Sequence, residues 1–200
     1  MQSNHELVSH LITSGVLRSG ELIEAFEHVD RADFVPPQFH GAAYEDHPLP
    51  IGFGQTISQP YTVAFMLEAL HPLPVSSVLD IGAGSGWTAA LLAQCSGHVT
   101  AVERIPELVE LARSNLSRYH PGNITLRQAQ AALGTPGSRY DRILVSAAAE
   151  HFPYALLEQL EPGGILVVPV SHAIVVAELG EEGNVTRRSY PGFAFVPLIC

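Results

Sequence analysis

Ten residues from Val78 to Trp87, VLDIGAGSGW, constrain this chain more than any others. Val78 and Leu79 are apolar and favour extended backbone, so they read as the end of a buried strand. Asp80 follows, and then glycine at alternate positions, Gly82, Gly84 and Gly86. The run TAALLAQ after Trp87 combines helix formers with an apolar helical stripe. Strand, glycine turn and helix in that order form a nucleotide-binding edge. Backbone without Cβ atoms reaches positive φ and comes close to a ligand. The free N–H groups at the start of the helix point back to the same place.

The spacing decides which nucleotide. A dinucleotide fingerprint is G-x-G-x-x-G, but here the third glycine falls one position early and Trp87 stands in its place. No lysine followed by Ser or Thr completes a phosphate loop. An acidic residue ahead of G-x-G-x-G is the pattern of S-adenosylmethionine methyltransferases. A second apolar strand, Val99 to Val102, ends in Glu103. That places a carboxylate about 20 residues past the first glycine, where it can hold ribose hydroxyls. The competing interpretation is an ordinary tight strand-helix turn, and Glu103 weighs against it.

Composition excludes several classes. A net charge of -10 argues against a nucleic-acid partner, because nothing would neutralise phosphates. The basic residues are scattered, with Arg187 and Arg188 the only adjacent pair. Cys95 and Cys200 are too few and too far apart for a disulfide framework or a metal site, which fits a reducing compartment. The histidines form no H-x-x-x-H or H-E-x-x-H pair, so no metal is expected. No apolar run approaches membrane-spanning length. The expectation is a cytoplasmic monomer, with residues 1–200 as one domain.

Ser3 and Glu6 form a capping-box pattern ahead of a helix that ends at Gly15, and a second helix is predicted from Glu21 to Val29. Residues 30–60 are rich in proline, glycine and aromatics, and they read as an ordered lid or cleft wall. Within it lies GQTISQP, Gly54 to Pro60, where Ser58 is placed to cap a helix running from Tyr61 to Leu70. The core then follows: strand 78–81, helix 87–95, strand 98–103, helix 106–118, strand 123–127, a loop or short helix rich in alanine from Gln128 to Arg139, and strand 141–146. Next come a helix over 153–160, strand 165–170 and a hairpin turning at Glu181 to Asn184. This alternation predicts a doubly wound α/β sheet with an antiparallel C-terminal hairpin and extra N-terminal helices. Residues 1–60 supply the helices and cleft wall, and 75–200 the nucleotide core.

The run Tyr44 to Tyr61, YEDHPLPIGFGQTISQPY, closely resembles the protein-L-isoaspartate (D-aspartate) O-methyltransferase family. So do RADFVP from Arg31 to Pro36, VLDIGAGSGW, VTAVER, PGGILVVPV and the closing FVPL, all in the same order. GQTISQP is the most specific of these, since many methyltransferases share the glycine loop. The resemblance implies a class I methyltransferase with a Rossmann-like sheet. Its implied activity is transfer of a methyl group from S-adenosylmethionine to the α-carboxyl of L-isoaspartyl residues in damaged proteins. The ester then closes to a succinimide, and hydrolysis restores part of the chain to aspartate. A carboxylate is already nucleophilic at neutral pH, so no strong base is needed.

Carried over by resemblance, Ser58 is the active-site serine, positioning the acceptor, with Asp46 as a second catalytic residue. Thr56, Ile57 and Gln59 line the same cleft. The implied cofactor-binding set is Thr56, Ile57, Ser58, Gln59, Asp80, Gly82, Ala83, Gly84, Ser85, Gly86, Glu103, Arg104, Gln130 and Ala131. Three features depart from the family pattern. Its Gly-Asp-Gly, whose aspartate lies by the adenine, is here Ala129, Gln130 and Ala131, and the Gln130 amide can still donate to a ring nitrogen. Its Pro-Val-Gly is Pro169, Val170 and Ser171, followed by apolar HAIVVA, which is expected to alter the acceptor-cleft wall or a neighbouring surface. Relatives usually continue past FVPL, where here two residues follow. Two other readings stay open on these residues: methylation of another peptide carboxylate, and a binding module without turnover.

Overall fold

The computed structural model describes residues 1–119 and 122–199; Cys200 lies outside the described residues. In chain order the elements are α1 (Asn4–Thr13), α2 (Gly20–His28), β1 (Leu49–Gly52), β2 (Gln55–Ile57), α3 (Pro60–Leu70), β3 (Ser77–Ile81) and α4 (Trp87–Cys95). Then follow β4 (His98–Glu103), α5 (Pro106–Leu116), β5 (Ile124–Gln128), β6 (Tyr140–Val145), β7 (Leu160–Val170), β8 (Ala173–Leu179) and β9 (Val185–Pro191). β1 and β2 form a separate small hairpin, and the other seven strands make one sheet in the order β5-β4-β3-β6-β7-β8-β9. Strands β5 to β7 in that order run parallel, while β7, β8 and β9 form an antiparallel meander.

The apolar run of each central strand explains its place. Leu79 and Ile143 are fully buried, as befits parallel strands covered on both faces. The chain goes outward from β3 through β4 to β5, then returns to the other side of β3 as β6. That reversal leaves a crevice at the carboxyl ends of β3 and β6, the place where open α/β sheets bind ligands.

The N-terminal helices are locked onto this core. Ser3 Oγ accepts the Glu6 N–H at 3.2 Å, starting α1. Glu68 on α3 accepts both the Arg18 and Ser19 N–H groups, at 2.6 and 2.7 Å, just ahead of α2. Its negative charge suits the positive end of that helix. Phe26 on α2 meets the Trp87 ring edge-to-face, with centroids 5.7 Å apart.

Two local expectations differ. The helix predicted over 153–160 is a six-residue 3₁₀ stretch, Tyr154–Gln159, and β7 begins at Leu160 rather than 165. Leu160 is fully buried opposite Tyr140, and Gln159 is tied to the preceding loop through the Leu133 carbonyl and the Thr135 N–H. Those ties and that burial override the helical propensity of six residues. The apolar HAIVVA segment forms much of β8, an interior strand flanked by β7 and β9, with Ile174 and Ala177 fully buried. Its hydrophobicity serves the sheet, not the wall of the cleft.

The β7–β8 turn carries a local strain. Ser171 has φ 54, a left-handed conformation that a Cβ disfavours by about 1–2 kcal/mol. Its Oγ recovers little, lying 3.4 Å from the Glu150 carbonyl. Ser171→Gly is therefore expected to stabilise the fold by about 1 kcal/mol, or roughly 2–4 °C in a domain of this size, measured by thermal unfolding. An unchanged or lower midpoint would show that the serine is not strained.

Candidate active site

The glycine loop after β3 is held by backbone hydrogen bonds that leave its inner surface bare. Gly82 and Ala83 donate their N–H groups to the Val102 carbonyl at 2.9 and 3.1 Å, and Gly84 donates to Glu103 Oε2 at 3.0 Å. Glu103 Oε1 also accepts the Ile105 N–H at 2.9 Å, so a buried carboxylate fixes the end of β4 against the loop. Gly84 has φ 56, and a Cβ there would come within 3.3 Å of Ile51 on the β1–β2 hairpin. The hairpin thus roofs the glycine loop. Gly86 serves a different purpose. A Cβ there would meet Leu116 at 3.2 Å and Ala112 at 3.4 Å, so its bareness lets α5 pack against the start of α4.

Arg31 ties the roof to the core. It is fully buried, and its guanidinium donates to the carbonyls of Ala43, Glu45, His47 and Ser58 at 2.7 to 3.3 Å. It also lies over the Trp87 ring, 5.3 Å from the centroid. Burial pulls its pKa down to about 10, with Asp46 opposing the shift. Asp46 performs the cap that the sequence assigns to Ser58: Oδ1 accepts the Tyr61 N–H at 2.8 Å, and Oδ2 accepts from Gln59 Nε2 at 3.2 Å. The N-cap residue of α3 is Gln59, and no side chain of its own closes the cap. Ser58 is thereby left to face the cleft. Asp46 stands behind that wall and is not among the residues lining it, so its geometry is that of a support.

Three hollows with walls in common occupy the crevice. The first, about 800 Å³, lies over Gly82, Gly84, Glu103, Arg104 and Gln130, with Leu133, Ala147 and Leu198 among its apolar walls. The second, about 330 Å³, runs under the roof between Ile57, Ser58, Ala83, Ser85, Trp87 and Thr88. The third, about 990 Å³, opens outward past Pro48, Ser58, Gln59 and Thr62, against the segment 192–196. Thr56 and Ser146 line all three. Most of the residues expected from the sequence are thus brought together. Asp46, Asp80, Gly86 and Ala131 are not among the lining residues, although Ala132 beside the last of these is.

Ser146, Leu133 and the wall formed by Phe193 and Phe195 were not legible as site residues. For Ser146 a signal existed: it is the first polar residue after the buried apolar run of β6, at the sheet edge where ligands sit.

Three buried polar atoms without partners among the described residues belong to Ser85 and Trp87, which line the inner hollow, and to Asp80, which does not. Asp80 is fully buried; Oδ2 accepts the Thr88 hydroxyl at 3.1 Å, but Oδ1 has no partner. Ser85 Oγ and Trp87 Nε1 are likewise buried and unpaired. Burial pushes the Asp80 carboxyl up to about 7, and nearby Glu103 adds to the rise, while Thr88 opposes it. Such a group is suited to a small cationic partner. The outer hollow pairs Glu103, suited to a diol, with apolar walls that suit a purine. An S-adenosyl group, with its amino acid tail inward and its base outward, fits this chemistry.

Two substitutions probe these supports. Arg31→Met leaves four carbonyls without their donor and is expected to cost about 3–5 kcal/mol in urea unfolding, with Arg31→Lys falling between it and the parent. A loss under about 1 kcal/mol for Met would mean that the guanidinium is dispensable. Asp80 holds its proton more tightly folded than unfolded, so the folded protein binds more protons between the ordinary carboxyl value of 3.8 and about 7. Stability therefore falls as pH rises through that window. Asp80→Asn removes the slope, so the variant should exceed the parent in stability at pH 8 and match it below pH 4. Unfolding curves at the two pH values give the comparison, and a less stable Asn variant at pH 8 contradicts it.

The chain's relatives share this architecture. The sequence profile of the family described as protein-L-isoaspartate(D-aspartate) O-methyltransferase matches residues 2–200. The protein-L-isoaspartate O-methyltransferase of Methanopyrus kandleri is 44% identical over 209 residues, covering 99% of this chain and 92% of that protein. The Anaeromyxobacter dehalogenans protein of the same name is 44% identical, covering 96% and 95%. Among solved structures, that of a Plasmodium falciparum protein described as a protein-L-isoaspartate O-methyltransferase, in complex with S-adenosyl-L-homocysteine, superposes with a TM-score of 0.85. It is 23% identical and covers 100% of this chain and 99% of that one. The chain belongs to the protein-L-isoaspartate (D-aspartate) O-methyltransferase family.

Proposed function

We infer that this protein transfers a methyl group from S-adenosylmethionine to the α-carboxyl of L-isoaspartyl residues in damaged polypeptides. One observation carries the reading. An outward hollow walled by Ser58, Gln59 and Thr62 adjoins the glycine-loop hollow, the two sharing Thr56, Ser146 and Val196 as walls. A carboxylate in the former can thus reach a group held in the latter. When bound, S-adenosylmethionine supplies a methyl carbon on a positively charged sulfur, so the protein needs only to align and desolvate. Glu103 and Gln130 hold the nucleoside end, and Ser85 faces the ammonium-bearing tail, with Asp80 outside the lining itself. Thr56 and Ser58 orient the acceptor carboxylate, and the Arg31 bond to the Ser58 carbonyl keeps that segment in place. Ile51 and Ile57 help exclude water from the meeting point.

The reading includes a monomer. It takes residues 1–200 as one methyltransferase domain, supported by the Phe26–Trp87 and Arg31–Trp87 contacts between the N-terminal segment and the core. No described helix is long and apolar enough to cross a membrane. A cytoplasmic location belongs to the same reading, on the ground of only two cysteines.

A methyl-transfer assay on paired isoaspartyl and aspartyl peptides tests this. Methanol release from the isoaspartyl peptide alone is expected; turnover only on another carboxylate, or cofactor binding without turnover, would select one of the other readings. Gln130→Asp should keep or raise cofactor affinity in calorimetry, because the first hollow asks there only for a group that pairs with the base. A loss of tenfold or more would instead give the amide a role of its own.

A further inference from the structure

We propose that Ser146 is a further catalytic residue, a hydroxyl that touches the acceptor carboxylate at the point of methyl transfer. The proposal rests on the carboxyl-methyltransferase reading and extends it to a residue of the sheet itself.

Only Thr56 and Ser146 line the nucleoside hollow, the inner hollow and the acceptor hollow alike. A group passing from donor to acceptor must cross the point where these spaces meet, so both side chains border its path. They border it from opposite supports. Thr56 sits on the small β1–β2 hairpin, which is not part of the main sheet. Ser146 directly follows β6, and its N–H donates to the Ile81 carbonyl at 2.8 Å, fixing it across the β3–β6 crevice. Facing it is Gly82, where a Cβ would lie 3.8 Å from Ser146 Cβ. The gap between them is therefore kept open by the absence of a side chain at 82, with Ser146 on its far side.

The reaction shows what that hydroxyl does. The carboxylate oxygen forms a bond to the methyl carbon as the carbon–sulfur bond breaks, and its electron pair stays on sulfur. A carboxylate and a sulfonium become an ester and a thioether, with no proton moved. Charge is lost on the way to the transition state, so a donor to the carboxylate binds the ground state at least as well as the transition state. Ser146 should consequently orient and bind the acceptor, and its removal should raise the peptide KM far more than it lowers kcat.

Ser146→Thr keeps a hydroxyl and Ser146→Val presents nearly the same shape without one. Peptide KM and kcat are measured for both, together with the affinity for isoaspartyl peptide in the presence of S-adenosylhomocysteine. The affinity for S-adenosylhomocysteine alone serves as the control for an intact fold. The expected result is a Thr variant within about threefold of the parent and a Val variant with peptide KM and dissociation constant raised about tenfold. Ser146 also borders the cofactor hollows, so affinity for S-adenosylhomocysteine is compared in both variants, and the Thr–Val difference there should be smaller than for the peptide. Equal behaviour of Thr and Val, or a loss confined to S-adenosylhomocysteine, overturns the assignment. A parent that binds the peptide with the Thr–Val difference but never methylates it would sink the functional reading and leave the site standing. A parent that binds no isoaspartyl peptide refutes both.

Discussion

A guanidinium out of reach of water must have its donors filled, and this requirement shapes the cleft. Arg31 meets it for its two terminal nitrogens with backbone carbonyls from four places between Ala43 and Ser58, which obliges that whole segment to curl around one side chain, while its Nε keeps no partner among the described residues. The segment holds few regular hydrogen bonds of its own, its regular structure being the small β1–β2 hairpin. Its order is therefore borrowed from a charge. Trp87 lies beneath that charge, and Trp87 is also the first residue of the helix that follows the glycine loop. One contact thus couples the acceptor wall to the nucleoside cradle, and the distance between the two substrates depends on it.

The cradle follows a different logic, in which stability is given up for binding. Asp80, Ser85 and Trp87 each bury a polar atom that the protein leaves unpaired. Each such atom costs of order 1–3 kcal/mol in the folded state, more for a charge. Asp80 escapes part of that cost by holding a proton near neutrality. Glu103, in contrast, already serves the backbone, accepting from Gly84 and Ile105 with one oxygen each, and keeps further lone pairs for a ligand. The two carboxylates therefore divide the work: one holds the loop in shape, and the other waits for a partner.

The sequence made the parallel core legible because its signals are local: apolar runs set the strands, and alternate glycines set the loop. The terminal hairpin was legible from its polar turn at residues 181–184 for the same reason. What escaped depends on contacts distant along the chain. The cap of α3 comes from Asp46, 15 residues before Tyr61, and no spacing rule distinguishes it from the nearer Ser58. Gly86 reads like its neighbours in the loop, yet its bareness is required by α5, some 30 residues onward. Arg31 gave no signal of its own, because its partners are carbonyls, which every residue possesses. GQTISQP lines the cleft from the hairpin side, but Ser146 lies at the end of β6 in the main sheet, far from it along the chain.

That order also explains why hydroxyls, not acids or bases, dominate the meeting point. Methyl transfer to a carboxylate cancels a positive and a negative charge, so an environment that solvates charge poorly favours the transition state over the reactants. An ionised side chain there would stabilise one reactant and oppose that cancellation. Thr56, Ser58 and Ser146 are neutral donors, able to align an oxygen without contributing a charge of their own. The carboxylates of Asp46, Asp80 and Glu103 surround this region but face other duties: the start of α3, the inner hollow and the glycine loop. The chemistry is thus left to alignment, and alignment is what the buried arginine and the fixed ends of β3 and β6 provide.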